Sequence, residues 1–250
     1  MMNHAPLISP AVSLRRYGAI EASDVHPFHQ IVLGLEGAMD MAVDGIERRV
    51  DGHGAWIVPA GVRHAYSAQG VNRQWVVDLP VASVAMPERF FERARLVEID
   101  VSIAQMIRRM ASAVGPNGGS RRFAWEAATH VCAALIADAA PLDARGLDFA
   151  RIDRWMRARL SEPLRIADLA AHCGFGMRRF HQVFCEAFGE TPHRYLQRLR
   201  LDTALTLLAD PRETLTDVAL QTGFADQSAF THAFTRRFGM APGQWRAGTH

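Results

Sequence analysis

Lysine is absent from this chain: all 28 basic residues are arginine, the mark of a GC-rich genome. Cysteine is scarce. Cys132, Cys173 and Cys185 are too few for a disulfide scaffold and none stands in a Cys-x-x-Cys pair, so they read as reduced thiols. Long apolar runs are also missing; none approaches the roughly 18 residues that a membrane-spanning helix needs. The opening, MMNHAPLISP, lacks the basic-then-apolar order of a secretion signal. These absences predict a cytoplasmic protein with no membrane partner.

What is present is ordinary globular material. The chain has 250 residues, 49% hydrophobic and 22% charged, enough for one or two domains with buried cores. Its charge is uneven. Residues 1–144 carry 13 Arg against 15 acidic residues, and residues 145–250 carry 15 Arg against 11. The later part is therefore net positive, as a segment that meets a polyanion would be.

The first 80 residues read as short strands at Gln30–Leu35, Met39–Val43, Ala55–Val58 and Gln74–Leu79, broken by Gly and Asp-Gly punctuation. Asp44-Gly45 has hairpin-turn chemistry, since both residues tolerate positive φ. Strands at this spacing suggest a barrel or sandwich. Beyond Pro87 the apolar period becomes helical over Val101–Ala113 and Phe123–Ala139, with a break at 115–120. A second break at 140–146 has the composition of a linker. Helices are then expected over Phe149–Leu160, Ile166–Cys173, Met177–Phe188, Pro192–Ala209, Leu215–Thr222 and Asp226–Phe238.

The C-terminal part repeats itself. Asp168, Ala170, Gly174 and Phe175 recur as Asp217, Ala219, Gly223 and Phe224. Phe180, Phe184, Phe188, Gly189 and Pro192 recur as Phe230, Phe234, Phe238, Gly239 and Pro242. In each repeat a short helix stops at a Gly suited to a left-handed turn, and a second helix anchored by Phe at four-residue intervals follows. The turn is too short for antiparallel stacking, so the helices cross steeply. That is a helix-turn-helix unit, whose second helix can enter a major groove. A connecting helix of about 27 Å, at about 1.5 Å per residue, would hold two such helices for successive grooves. The Phe ladder itself reads as core, and so do Cys173 and Cys185.

Residues 150–250 resemble the DNA-binding domain of the AraC/XylS family of bacterial transcription regulators. The second repeat, LTDVALQTGF at 215–224 through FGMAP at 238–242, follows that family's signature, and Arg200, Leu201, Ala204, Leu207 and Leu208 fit its linker helix. The resemblance implies that positions early in each second helix face bases: Arg178, Arg179, His181 and Gln182, then Gln227, Ser228, Thr231 and His232. Arginine can donate a bidentate pair to guanine and glutamine can read adenine, and either can touch phosphate instead. Arg194, Arg236 and Arg237 are the candidates for phosphate contact.

The strand-rich segment is similar to a cupin, the small β-barrel that serves as the sensory domain in many regulators of this family. At the spacing of the cupin's first metal motif stand Asp24, His26, Gln30 and Gly37; residues 54–64, GAWIVPAGVRH, approach the second motif and end on His64. Asp24, His26, Gln30 and His64 are thus candidate ligands for a divalent transition metal. They depart from the family pattern, with Gln where the family has Glu and one His replaced. The alternatives are the polar floor of an organic-effector pocket walled by Phe28, Met41, Trp56 and Trp75, or a structural buried-polar cluster. Val101, Ile103, Ile107, Met110, Val131, Ala134 and Leu135 make apolar stripes on the two following helices, suited to packing within the domain or to a dimer interface.

The expected architecture is multidomain α+β. A cupin-like β-barrel fills residues 1–98, a helical dimerisation and linker extension residues 99–139, and an all-α double helix-turn-helix domain residues 150–250. The expected function is an effector-responsive transcription regulator, an activator and homodimer. Its partners would be promoter DNA, a small-molecule effector and, for activation, RNA polymerase. The competing readings are a metal-dependent cupin enzyme fused to a DNA-binding module, and a DNA-binding protein whose barrel only dimerises.

Overall fold

The structure, a computed structural model, describes residues 7, 9–81, 83–114, 119–137 and 147–248. Of the break expected at 115–120, residues 115–118 lie outside the described residues, as does the whole break expected at 140–146. The chain divides into two compact units: Met1–Ser83 with Glu88–Leu135, and Val84–Pro87 with Ile136–His250.

Among the described residues the first unit has nine strands. They are β1 (Ala11–Arg15), β2 (Ala22–Asp24), β3 (His29–Glu36), β4 (Met39–Val43), β5 (Ile46–Val50), β6 (Gly54–Val58), β7 (His64–Ser67), β8 (Arg73–Leu79) and β9 (Arg95–Glu98). One antiparallel sheet runs β1-β8-β3-β6-β9 and the other β2-β7-β4-β5. Side chains alternate along each strand, so one face of each sheet can supply a core. Val32, Trp56, Val58 and Val76 from the first sheet pack with Met39, Met41, Val43 and Val50 from the second. No strand pairing among the described residues joins the two sheets, so the strand-rich segment forms a two-layer sandwich with open edges. Edge strand β5 carries Glu47, Arg48 and Arg49, all exposed, and charge on an edge discourages pairing with another chain. In the β4–β5 hairpin Val43 pairs with Ile46, with Asp44 at φ +50° and Gly45 at φ +77°, the turn expected of Asp-Gly.

Two α-helices follow the strands among the described residues of this unit. Helix α1 (Val101–Ser112) starts at Asp100, whose carboxylate accepts the Ile103 N–H at 2.8 Å, and α2 (Arg121–Ala137) follows. Ile103, Ile107, Val131 and Leu135 are buried; Val101 is 66% exposed, and Met110 and Ala134 are half-buried.

The second unit is helical: α3 (Phe149–Arg157), α4 (Ile166–His172), α5 (Met177–Phe188), α6 (Pro192–Leu208), α7 (Leu215–Gln221), α8 (Gln227–Phe238) and α9 (Pro242–Ala247). The repeat is visible in its geometry. Gly174 and Gly223 both sit at φ +77°, and the N–H groups of Phe175 and Phe224 donate to the carbonyls of Ala170 and Ala219, both at 2.9 Å. Helices α5 and α8 both end on left-handed glycines, Gly189 and Gly239. Phe180, Phe184 and Phe188 are buried, as are Phe230, Phe234 and Phe238. Tyr195 closes the first aromatic cluster at 4.6 Å from Phe188, and Trp245, fifty positions later, closes the second at 5.3 Å from Phe238. Burial of these rings is what fixes each second helix against its unit. Helix α6 is buried on several sides, at Tyr195, Leu196, Leu199, Leu201, Asp202, Leu205 and Leu208, as a helix packed between two units should be.

Candidate functional site

The ladder that buries one side of α5 turns the other to solvent. Arg178, Arg179, His181 and Gln182 are all exposed. The side chains of Arg178 and Arg179 make no hydrogen bond or ion pair among the described residues. Gln182 donates to Glu186 one turn on at 2.9 Å, and His181 Nδ1 lies 3.7 Å from Cys185 Sγ. On α8, Gln227, Ser228 and His232 are exposed and Thr231 is half-buried. Gln227 Oε1 accepts from the Thr216 hydroxyl of α7 at 2.9 Å, which fixes the amide and leaves its N–H₂ outward for a second partner. Helix α8 is capped by Asp226, which accepts the Ala229 N–H at 2.7 Å. The structure therefore gathers the eight expected base-facing residues on the open sides of two equivalent helices.

The three candidates for phosphate contact divide. Arg194 and Arg236 are exposed and available. Arg237 is not. Its guanidinium pairs with the buried carboxylate of Asp202 and donates to the Arg198 carbonyl at 2.7 Å. The Ala85 N–H also donates to Asp202, at 2.7 Å. Burial pushes the Asp202 carboxyl up, while Arg237 and the Ala85 N–H pull it back toward the charged form. The expectation for Arg237 is corrected: it is a structural cation inside the unit.

A second cationic set went unnoticed in the sequence. Arg151, Arg154, Trp155, Arg159 and His172 line a cavity of about 450 Å³ on α3 and α4. Arg159 lies 4.7 Å over the Trp155 ring, and Arg151 donates to the His172 carbonyl at 2.6 Å and to its Nε2 at 3.1 Å. Burial and the charges of Arg151 and Arg159 hold the imidazole below its usual pKa. The signal available was the run of arginines at short helical intervals through α3.

In the first unit, Asp24 pairs in register with His64, and the His64 ring lies 5.0 Å from His26. Both histidines are 2% exposed. His26 Nδ1 lies 2.8 Å from the Phe28 carbonyl and His64 Nδ1 3.2 Å from the Val62 carbonyl. Burial lowers the pKa of His64, and the neighbouring His26 adds to this. Gln30 leaves the group: its amide donates to Asp78 at 2.7 Å, and Asp78 also holds Arg15 at 2.6 Å. No set of three or more His, Cys, Asp or Glu among the described residues is arranged to hold a metal ion. The four residues do not fit the group the motif implies, because no three His, Cys, Asp or Glu side chains among the described residues converge there and Gln30 offers only a neutral amide oxygen.

The expected effector walls also separate. Met41 and Trp56 share the inter-sheet core, and Phe28 stacks on His26 at 4.1 Å. Trp75, beside Leu33 and Leu14 in register, alternates to the sheet face opposite Val76 and so belongs to a different surface. Gln74, absent from the sequence expectations, is fully buried with neither amide atom hydrogen-bonded, and the Trp56 indole N–H is likewise unpaired.

Comparison with known proteins places this geometry. A helix-turn-helix domain family matches residues 169–248, which spans both repeats. "Probable transcriptional regulator LumQ" of Photobacterium leiognathi is 26% identical over 226 residues, covering 88% of this chain and 90% of that protein. The HTH-type transcriptional regulator YobQ of Bacillus subtilis is 25% identical over 235 residues, 93% and 91% of the two chains. The HTH-type transcriptional activator RhaR of Klebsiella pneumoniae is 36% identical over 91 residues, 36% of this chain and 32% of that one. The duplicated unit thus matches a helix-turn-helix domain family, and along nearly its whole length the chain is similar to proteins named as transcriptional regulators.

Proposed function

We propose that this chain is an effector-responsive, homodimeric activator that works in the cytoplasm, has no catalytic role, and grips promoter DNA with α5 and α8 in successive major grooves. The observation that carries the reading is the pair of aromatic-anchored helices, each with its polar side open. Helix α6, at 17 residues and about 25 Å, is a spacer of the length this grip requires, since groove entries recur at about 34 Å between helix centres. Arg178 and Arg179 read guanine, Gln182 and Gln227 read adenine, and Ser228, Thr231, His181 and His232 complete the contact set. Arg194 and Arg236 hold phosphate. The first unit takes a small effector, which acts by binding one arrangement of the protein more tightly than another. An activator of this kind touches RNA polymerase once seated.

The test uses the full chain and the DNA upstream of its own gene. Arg178→Ala or Gln227→Ala should weaken binding by about 1–3 kcal/mol on that sequence and hardly at all on unrelated duplexes. An equal loss on every sequence would turn these side chains into phosphate contacts. Light scattering at the concentrations used checks the dimer.

A further inference from the structure

We propose that the effector of this regulator is an amphipathic organic anion, a carboxylate on an aliphatic or aromatic body, bound in the groove between α1 and α2. The proposal rests on the effector-responsive reading above and gives it a place and a chemistry. The groove encloses about 530 Å³, within the roughly 300–1,000 Å³ of sites that hold small organic molecules. Helix α1 contributes Gln105, Met106, Arg109 and Met110, and α2 contributes Phe123, Glu126 and His130. The residues on each helix are spaced so as to form one continuous stripe.

The stripes combine apolar walls with one unmatched charge. Met106, Met110 and Phe123 are half-buried, and thioethers adapt to ligands of varied shape. Glu126 is already matched, accepting from Arg122 at 2.9 Å. His130 Nδ1 lies 2.7 Å from the Glu126 carbonyl and so carries the proton it donates there. In the neutral ring this leaves Nε2 as an acceptor. Arg109 is exposed and has no carboxylate partner among the described residues. A ligand carboxylate would accept a bidentate pair from Arg109 while its body lies against the two Met and Phe123. A second copy of the chain is the competing occupant, and a two-fold interface here would have to supply Arg109 with a carboxylate from across it. A ligand in this groove touches both helices at once, and α2 is the last described element of the first unit before the DNA-binding unit begins.

The experiment titrates the full chain with 4-phenylbutyrate and decanoate, and with their neutral amides, by calorimetry and thermal shift. The acids should bind saturably and at least about tenfold more tightly than the amides. Arg109→Gln should erase that preference, Arg109→Lys should keep most of it, and Met110→Asp should weaken both acids. Arg109 is at the surface, so its variants test the contact rather than the fold. Amides that bind as well as acids, or acids held equally by Arg109→Gln, would overturn the proposal. If binding then responded to Gln74→Leu, the ligand would sit between the sheets and the effector reading would stand without the groove. Should no small molecule stabilise the chain or alter its hold on DNA, the effector reading itself would fall. A ligand-free dimer that dissociates on Met110→Asp would make the groove a subunit interface and overturn its role as an effector site.

Discussion

Arginines of the same type do unlike work here, and neighbours decide which. Arg236 and Arg237 are adjacent in sequence, yet the first is exposed and the second is locked to Asp202. Arg236→Ala should therefore lower the slope of log affinity against log salt by about 1 and leave folding alone. Arg237→Ala should instead cost about 3–5 kcal/mol of stability, because Asp202 would be left buried and uncompensated. Urea unfolding beside salt titration separates the two. The glycines divide in the same manner. A Cβ on Gly174 would meet nothing within 4 Å, whereas one on Gly223 would lie 1.9 Å from the Leu160 carbonyl oxygen. Gly174→Ala should cost about 1–2 kcal/mol, the penalty for a side chain in the left-handed region. Gly223→Ala should cost clearly more, since backbone must move; thermal melts of both variants check the order. Neither the burial of Arg237 nor the diversion of Gln30 was legible in the sequence. Their partners, Asp202 and Asp78, stand 35 and 48 positions away, and only the fold brings them together.

Elements with a strong period were legible and short ones were not. The eight helices expected from apolar spacing all appear, with ends shifted by up to three residues, because each carries a buried stripe. Strands β3, β4, β6 and β8 were likewise readable from their apolar runs. Strands β1, β2, β5, β7 and β9 were not: they have three to five residues each, and β5, IERRV, carries almost no apolar side to betray it. The groove on α1 and α2 escaped notice for a related reason. Its residues lie beside the buried stripe, and a reading aimed at the core passes over the half-buried neighbours. At this scale the Phe ladder and the caps set the energetics. Phe234→Ala should cost about 3–5 kcal/mol and weaken DNA binding through loss of α8 packing. Thr214→Ala removes the side chain that accepts the Asp217 N–H at 3.1 Å and should cost about 1 kcal/mol. Gln227→Ala, on the open side of α8, should leave the melt unchanged.

Taken as a whole, the molecule joins a sheet-rich unit with buried histidines to a helical unit held by aromatic rings, and each holds a histidine whose pKa is depressed. Burial depresses the pKa of His64 below its ordinary 6.5, so the imidazole is neutral in the folded state and must charge on unfolding. The unfolded chain binds more protons in that interval. His64 therefore contributes stability that is complete above pH 6.5 and fades as pH falls through its folded pKa. Fluorescence-monitored urea unfolding at pH 5 and pH 7.5 should show a weakened first unit at the lower value, with the difference reduced in His64→Gln. An unchanged difference in that variant would assign the acid sensitivity to other groups. The change from strands to helices was visible in composition, but it falls inside the first unit, which keeps α1 and most of α2 and ends at Leu135. The openness of the sandwich was not, because nothing in a strand's own residues records whether its sheet will close.

The unlike surfaces of α5 and α8 bear on how a promoter would be occupied. One head offers two adjacent guanidiniums, Arg178 and Arg179, where the other, fifty positions on, has Ser228 and Ala229. On the proposed contact set the heads are not interchangeable, so the stretch of bases they would prefer has an arrow. Turning that stretch end for end would make the bound chain point the opposite way along the chromosome, and a regulator that must face the transcription start would fall silent at a site of unaltered affinity.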